Sequence, residues 1–452
     1  MRHRPDRLFL LTGGVQGLAF AWGLPAMVWW VVDLRLSPFR LAVLGTALVL
    51  SILVTETPTG VVADLYSRKY SVVAAYVVMG TAMALGPVTE LFGVLVIWQV
   101  LWGVGWTLQS GAATAWMTDE LAHHASHSHR SAAVMPVESS TSGDDTGAEH
   151  SGIPRSDHSR QVDGLIVRHA IFRSAGVMVG LVAATAMGAW SVRGSMAVMG
   201  MLAIAAAGYL AIAMPEAGFE SPRRRTDGAP RPAHTSAWKD AIALWKRGAR
   251  LVRRDPSLLA VALSATVAAG AWEANDRLSV LRLFDLGLTQ LDGREAVLFF
   301  GAVWFVMSAL AIPMMAWLRR RLEQADQRSA RRDAFLLARF LTIAAAGALA
   351  LALSPWFTIA LIGWAVLDVA GETAYSLTEA MANRHADSSV RATVVSFVGQ
   401  SQAVGEVSIG LALGTVAQIV TVPVALAIAA VLFAVSAAPA AVVGWRTGMP
   451  ED

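Results

Sequence analysis

Thr55–Tyr70 reads TETPTGVVADLYSRKY and separates two long apolar stretches of the chain. Within it, Gly60 and Asp64 are followed by Arg68 and Lys69, with the spacing G-x-x-x-D-x-x-x-R-K. A glycine permits close packing of membrane helices, and the Asp64 carboxylate can cap a helix end and pair with basic residues. The pattern indicates a specialised turn between two membrane helices; the alternative is an ordinary basic cytoplasmic turn.

The composition around this turn is that of a membrane protein. Of the 452 residues, 55% are hydrophobic and only 15% are charged, which is unusual for a soluble protein of this size. Apolar runs of about 20 residues are long enough to cross the hydrocarbon core of a bilayer. The sequence predicts an all-α integral membrane protein with twelve transmembrane helices at 8–32, 41–63, 71–90, 92–117, 164–190, 194–214, 257–280, 295–317, 334–353, 356–381, 393–418 and 421–445.

Basic residues predict the orientation of these helices, because Lys and Arg concentrate in cytoplasmic loops. We expect both termini to be cytoplasmic, in a multi-pass protein of the inner membrane. The net charge of +3 follows from the same bias and does not indicate a nucleic-acid partner. With this orientation the outer loops hold six of the 36 Lys and Arg residues, namely Arg35, Arg40, Arg193, Arg277, Arg282 and Arg294.

Two polar segments divide the chain. A Ser-, His-, Gly- and Asp-rich stretch at about 119–163 lacks apolar periodicity and is interpreted as a flexible cytoplasmic insertion. A basic linker at 215–255 ends in a stretch that suits an amphipathic helix on the inner leaflet. We therefore predict a six-helix bundle at 1–214 and a second one at 256–452. The chain has no cysteine, which excludes disulfide and thiol chemistry.

Ionisable side chains inside a bilayer are costly and are candidates for function. Asp368 and Glu372 lie one turn apart on predicted helix 10, near mid-membrane, and Glu379 continues the same stripe. Two carboxylates this close disfavour simultaneous ionisation, so the pair can hold and release a proton. Glu406 in helix 11 and Glu273 in helix 7 are further proton-coupling candidates. The alternative is that these groups are hydrogen-bonded packing residues.

Histidines are concentrated in the predicted insertion. His123, His124, His127 and His129, with acidic residues further along, are weak candidates for binding Zn²⁺ or Ni²⁺. Their spacing matches no closed tetrahedral site, so a solvated low-complexity insertion is the competing interpretation.

Three motifs carry a family resemblance that covers nearly the whole chain outside the two polar segments. Glu56–Asp64 reads E-x-P-T-G-x-x-A-D, Glu273–Leu278 reads EANDRL, and Arg391–Ser396 reads R-A-T-V-x-S. Together with the turn at Asp64 they resemble the major facilitator superfamily, in particular bacterial tetracycline- and macrolide-efflux-like drug:proton antiporters. The resemblance implies two pseudo-symmetric six-helix bundles, and a conformational role for Gly60, Asp64, Arg68 and Lys69.

The chain also departs from that group. Drug:proton antiporters carry an Arg in an R-x-x-Q-G pattern on helix 4, where this chain has Gln99 in the sequence QVLWG. The helix 5 pattern G-x-x-x-G-P-x-x-G-G keeps Gly176 and Gly180, but Leu181 replaces the proline. A proton path would therefore depend more on Asp368, Glu372 and Glu406.

In this superfamily helices 1, 4, 7 and 10 line a central cavity, and these helices are rich in tryptophan and glutamine here. Deep aromatic side chains with a few polar anchors suit a flat amphiphilic ligand; packing and lipid contact are the alternatives. Trp29, Trp30 and Trp356 are expected in the interfacial belt instead. The cavity candidates are Gln16, Trp22, Gln99, Trp102, Trp106, Gln109, Trp272 and Trp364.

These features predict a monomeric secondary transporter and not an enzyme. It would export a small amphiphilic compound or drug by alternating access, with the proton gradient as driving force and no cofactor. A metabolite uptake or facilitated-diffusion permease is one alternative. A transport-inactive membrane sensor that signals through the His-rich segment is another. An ATP-driven pump is disfavoured, because no G-x-x-x-x-G-K-[ST] motif occurs.

Overall fold

The computed structural model describes the backbone of residues 5–133, 155–219, 246, 248–323, 330–385 and 391–446. Over these residues the chain is all-α. Twelve long helices follow one another: α1 (Pro5–Ala21, continued by Gly23–Val28 and Trp29–Asp33), α2 (Pro38–Leu65), α3 (Arg68–Leu85), α4 (Phe92–Ser110, continued by Ala112–Ala133), α5 (Arg155–Gly188), α6 (Val192–Ala213), α7 (Pro256–Leu283, continued by Phe284–Leu288), α8 (Gly293–Glu323), α9 (Ala330–Leu353), α10 (Phe357–His385), α11 (Arg391–Gly405, continued by Glu406–Gly410 and Leu411–Ile419) and α12 (Val422–Arg446).

Local chemistry explains several helix starts. Ser37, Ser67 and Ser191 precede α2, α3 and α6, and each side-chain oxygen accepts a hydrogen bond from a backbone N–H of the first turn. Such capping satisfies donors that have no partner within the helix. Pro38 occupies the first position of α2, where its missing N–H costs nothing. The short connections between successive helices are therefore encoded locally.

The two halves of the chain pair their helices in the same pattern. In the N-terminal half, α1 packs on α5, α3 on α6, and α2 on α4. In the C-terminal half the equivalent pairs recur, six helices later: α7 on α11, α9 on α12, and α8 on α10. The predicted all-α fold of two related six-helix bundles is confirmed.

Eleven described helices are long and apolar enough to cross a membrane. The predicted span at 393–418 corresponds to α11, which runs from Arg391 to Ile419 but is not among those eleven. Its interior carries Gln400, Gln402 and Glu406, and polar groups at these positions lower its hydropathy. Glu406 also begins a wider π-helical turn, a feature often found at functional positions.

The predicted insertion at 119–163 is corrected at both ends. Residues 119–133 continue α4, and residues 155–163 belong to α5. Only its middle, 134–154, lies outside the described residues. Most of the basic linker lies outside them as well. At the end of the linker, residues 248–254 are helical, and Val252 is buried against the protein, with Leu258 and Val394 in the same cluster.

Two tryptophans expected in the interfacial belt are instead part of the core. Trp29 has no exposed surface and Trp30 is 5% exposed, because the last turns of α1 lie between the two halves. Arg193 stacks over the Trp29 ring. Trp356 is 67% exposed, as a belt residue should be. Distance from the helix end therefore does not separate lipid-facing from buried tryptophans.

Candidate functional site

The two halves touch closely at one end of the molecule. We call the end that carries residues 60–69 the signature end, and the opposite end, where α2 begins, the far end. At the far end a Cβ atom on Gly414 of α11 would lie 2.2 Å from Ala42 Cβ of α2. A Cβ on Gly301 of α8 would lie 2.2 Å from Thr185 Oγ1 of α5. Bare glycine backbone therefore lets helices of opposite halves approach and close this end.

Beneath the closed end lies a cavity of about 200 Å³ between the halves. Helices α1 and α5 contribute to one wall, and α7, α8 and α10 contribute to the other. Its lining is mostly apolar and aromatic, with a few polar groups, as in many small-molecule sites. The lining residues are Phe20, Ala21, Val177, Leu181, Trp272, Asn275, Asp276, Trp304, Met307, Ser308, Trp364, Leu367 and Asp368.

Two tryptophans of the cavity are held in place by neighbouring residues. A Cβ on Gly371 would lie 1.9 Å from Cζ3 of Trp272, so the indole fits against α10 only because position 371 is a glycine. Trp364 packs edge-on against the buried Phe300 ring, with 6.1 Å between ring centres. The aromatic surfaces next to Asp368 are thus set by packing and not only by rotamer preference.

The polar groups of the cavity are mainly acceptors. Asp276 and Asp368 supply carboxylates from α7 and α10. The Asn275 side chain is 3% exposed, and its amide nitrogen donates to the Ala271 carbonyl at 2.8 Å. The Asn275 amide oxygen is buried without a hydrogen-bond partner among the described residues. Asp368 likewise makes no hydrogen bond or ion pair within the described chain.

A buried ion pair lies next to the cavity on α7. Arg277 Nε donates to Glu273 Oε1 at 2.8 Å, and the two side chains are 13% and 11% exposed. A Cβ on Gly45 of α2 would lie 2.0 Å from Glu273 Oε1 and 2.5 Å from Arg277 Nε. Glu406 on α11 is close enough for its charge to act on Arg277. The ion pair is therefore a contact between the two halves, beside the closed end.

This placement corrects the assignment of Arg277 to an outer loop, and Asp276 precedes it on the same helix. Helix α7 and its π-helical extension continue to Leu288, well beyond the predicted end at 280. Both residues consequently lie inside the span Leu258–Leu288. Asp276 contacts the Arg277 guanidinium at 3.7 Å and also faces the cavity.

Toward the signature end, charged groups of both halves are exposed in the cleft between them. Arg173 of α5 is exposed, as are Glu372 and Glu379 of α10. The charge of Arg173 acts on both carboxylates from across the cleft. These opposite charges lie on surfaces that would approach each other if the signature end closed.

The signature turn is a network centred on Arg68. Its guanidinium donates to the Ala115 carbonyl at 2.9 Å, to Asp119, and to Asp64 at 3.3 Å. Asp64 is 65% exposed, whereas Asp119 is 29% exposed, so Asp119 is the more enclosed partner. The predicted pairing of Asp64 with Arg68 is present, but the Arg68 guanidinium lies closer to its partners on α4, Ala115 and Asp119, than to Asp64.

The structure also places Lys69 and Gly60 of the signature turn. The Lys69 ammonium lies over the Tyr70 ring, 5.5 Å from its centre, and its backbone N–H donates to Glu216 at 3.1 Å. Glu216 also accepts from Ser67 Oγ at 2.7 Å, which ties the segment after α6 to the start of α3. A Cβ on Gly60 would meet no atom within 4 Å, so Gly60 is not at a close helix contact.

Several predicted cavity residues pack elsewhere. Gln16 Nε2 donates to Gln109 Oε1 at 3.1 Å, a buried bond between α1 and α4. Gln99 is 5% exposed and Trp22 is 7% exposed, and neither lines the cavity in the described chain. Helix periodicity does not predict these positions, because each helix has both a cavity-facing and a bundle-facing side.

Trp102 and Trp106 stand behind the cavity wall. Their rings stack with centres 5.6 Å apart, and Phe20 packs edge-on against both. Of the predicted cavity residues, Trp272 and Trp364 line the cavity directly.

The sequence interpretation missed the roles of Phe20, Asn275 and Trp304 in the lining. For Asn275 the sequence did contain a clue to a place in the lining. Polar residues cluster at 273–277 of α7 and continue beyond its apolar run.

The histidine-rich region gives no metal site among the residues that the structure describes. His123 and His124 lie on α4, with ring centres 6.2 Å apart, and His124 Nδ1 is 2.7 Å from the Glu120 carbonyl oxygen. The side chains of His127 and His129 lie outside the described residues.

Solved transporters share this architecture over their whole length. The nucleoside transporter NupG aligns with a TM-score of 0.63 at 10% identity, covering 98% of this chain and 98% of NupG. A bacterial homolog to the human lysosomal transporter Spinster, in an inward-facing and occupied conformation, aligns with a TM-score of 0.68 at 12% identity, covering 100% of both chains. The chain has the major facilitator fold.

Sequence comparison adds a shorter match. The uncharacterized MFS-type transporter YxaM of Bacillus subtilis (strain 168) is 22% identical over 111 residues, which is 25% of this chain and 28% of YxaM. No family model matches the sequence. The fold and its apolar helices indicate a multi-pass membrane protein, and the proteins that it resembles are transporters.

Proposed function

We propose that this protein is a secondary transporter that exports a small amphiphilic organic compound by alternating access, coupled to protons. The observation that carries the proposal is the cavity between the halves, which is lined by helices of both halves and lies beneath the closed far end. A ligand site at the interface of two repeated bundles is the arrangement by which such transporters expose one site to either side in turn.

The contacts at the two ends support this motion. At the far end, glycine contacts such as Gly45 on the Glu273–Arg277 pair hold the halves together. At the signature end, Arg173 faces Glu372 and Glu379 across the cleft without closing it. Rocking of the halves would exchange one set of contacts for the other, so that only one end is open at a time.

The charge distribution supports the direction in which the cavity faces. The signature end carries Arg68 and Lys69, and basic residues favour the cytoplasmic side. The conformation would then be inward-facing, with both termini in the cytoplasm of a cell bounded by the inner membrane. The likeness to an inward-facing solved structure agrees with this assignment.

Proton coupling is supported by carboxylates within the C-terminal half. Asp368 faces the cavity without a partner in the described chain, and Asp276 and Glu372 are the acidic groups whose charge reaches it. Glu406 lies near Glu273, Asp276 and Arg277. A carboxyl group in such a place exchanges a proton when access changes sides, and no cofactor is required.

Transport by the purified chain in proteoliposomes tests the proposal. With an imposed pH gradient, the wild type should accumulate a compound from a panel of small amphiphiles against its concentration gradient. Asp368→Asn should abolish this accumulation, because the group that exchanges the proton is lost. Asp285→Asn is the control, since Asp285 is exposed in the π-helical end of α7, outside the cavity.

Flux that ignores the pH gradient would favour facilitated diffusion of a metabolite. Absence of flux for every compound would contradict transport by this chain and favour the sensor alternative.

A further inference from the structure

We infer that the ligand of this cavity is an organic cation, an amine or quaternary ammonium with a compact apolar or aromatic body. The inference rests on the proposed function and specifies its substrate class. It follows from the sign of the charges in the cavity, from the absence of a partner for one of them in the described chain, and from the aromatic surfaces around it.

The cavity presents negative charge alone. Its two ionisable lining residues are Asp276 and Asp368, and no Lys, Arg or His of the described chain lines it. The cation beside it on α7, Arg277, is already bonded to Glu273 under Gly45. A neutral or anionic ligand would leave the ionised Asp368 carboxylate uncompensated in an apolar pocket until it took up a proton, whereas a cation compensates its charge directly.

Asp368 is the group that a cation would satisfy. It has no hydrogen bond or ion pair in the described chain, and the charges that act on it from α10 and α7 are those of Glu372 and Asp276, both carboxylates. A structural carboxylate would be expected to have a basic or N–H partner. The buried Asn275 amide oxygen, which also has no partner among the described residues, adds an acceptor on the same wall.

The aromatic residues favour a weakly hydrated cation over a metal ion. Trp272, Trp304 and Trp364 come from three helices of the C-terminal half, and Phe20 comes from the opposite half. Indole faces attract cations more strongly than other aromatic rings and recognise quaternary ammonium groups in particular. The remaining lining, such as Leu181 and Met307, suits the apolar body of the same ligand.

Binding of matched ligands to the full chain in lipid nanodiscs tests the inference. The probes are phenyltrimethylammonium, its neutral carbon isostere tert-butylbenzene, and the anion benzenesulfonate, each titrated calorimetrically with empty nanodiscs subtracted. The cation should bind about tenfold more tightly than the isostere, because cation–π attraction and the carboxylate act on charge alone. The anion should not bind.

Two variants separate charge recognition from damage to the fold. Asp368→Asn keeps the side-chain shape and should reduce cation affinity by about tenfold while leaving the affinity for tert-butylbenzene unchanged. Trp304→Leu should weaken the cation more than the isostere. Asp285→Asn should change neither.

Equal affinities for the cation and its isostere would overturn the inference, as would an equal loss of both in Asp368→Asn or no cation binding by the wild type. The proposed function would survive that result if neutral amphiphiles still accumulated under a pH gradient.

Discussion

Inside the N-terminal bundle, two contacts between helices join neutral polar side chains, whereas the C-terminal half carries a buried ion pair and a cavity-facing carboxylate. Gln16 bonds to Gln109, and Thr55 lies 2.9 Å from Thr107 between their hydroxyl oxygens. In the C-terminal half, Glu273 and Arg277 form a buried ion pair, and Asp368 faces the cavity without a partner in the described chain. Yet both halves pair their helices in the same way.

The difference indicates a division of labour between two halves of one architecture. Hydrogen bonds between neutral groups, such as that from Gln16 to Gln109, favour a single arrangement of the N-terminal bundle. Its charged network, around Arg68, lies at the signature end, where conformational contacts are made. We expect the charged groups of the C-terminal half to bind protons and cations, because the free energy of a charge beside the cavity depends on what enters the cavity.

The largest effect is expected from a substitution at the contact between the two halves. Gly45→Leu should disrupt the far end, because its Cβ alone would lie 2.0 Å from Glu273 Oε1. Overpacking of this kind costs about 1–3 kcal/mol, so the observed conformation should lose roughly ten- to hundredfold in population. The chain has no cysteine, so labels can be introduced at the exposed Leu91 and Ile419 of the far end.

Double electron–electron resonance should then report a longer label distance in Gly45→Leu. Gly208→Leu is the control, because a Cβ atom at that position would meet no atom within 4 Å. An unchanged distance in Gly45→Leu, together with normal transport, would show that the ion pair is not a contact on which closure depends.

A smaller effect is expected from substitutions at the signature end. Comparing Arg68→Gln with Asp64→Asn ranks how much each partner of Arg68 contributes to the transport rate. Arg68→Gln removes bonds to Ala115, Asp119 and Asp64 and should slow transport about tenfold without weakening ligand binding. Asp64→Asn should slow it only a few-fold, because an exposed ion pair contributes about 0.2–1 kcal/mol.

Initial transport rates and ligand affinities measured on the same preparations decide this ranking. Glu90→Gln removes another exposed ion pair, with Arg193, from the opposite end of the same half while leaving Arg193 over the Trp29 ring, and it should have no effect. Equal slowing by Asp64→Asn and Arg68→Gln would mean that Asp119 adds nothing to the network.

The smallest effect on transport and ligand binding is expected from the buried glutamine pair, whose loss should change stability instead. Gln109→Leu leaves the Gln16 amide buried without its partner and should destabilise the protein by about 1–3 kcal/mol. The double variant Gln16→Leu/Gln109→Leu removes both polar groups and should be nearly neutral, with unchanged ligand affinity. Thermal unfolding in detergent measures the stability of each variant, and ligand titration measures its affinity. A loss of affinity in the double variant would show that Gln16 and Gln109 do belong to the binding site.

The sequence by itself determined the fold class, the helices and the turn between α2 and α3. Apolar runs of membrane-spanning length and serine caps such as Ser37 and Ser67 are local properties, and they predict helices wherever the chain folds in a bilayer. The prediction that Asp368 and Glu406 lie near mid-membrane also came from the sequence, because depth follows from the residue count along a helix. The end of α7 was not, because polar residues at 273–277 interrupt the apolar run.

Only the tertiary structure decided which of these side chains share a space. Gln16 and Trp272 were equally plausible cavity residues by sequence, yet Gln16 faces Gln109 and Trp272 faces the cavity over Gly371. The side of a helix that meets the cavity depends on its rotation and tilt against its neighbours. Those are set by close contacts between residues far apart in the chain, such as Gly45 with Glu273, and not by any local pattern.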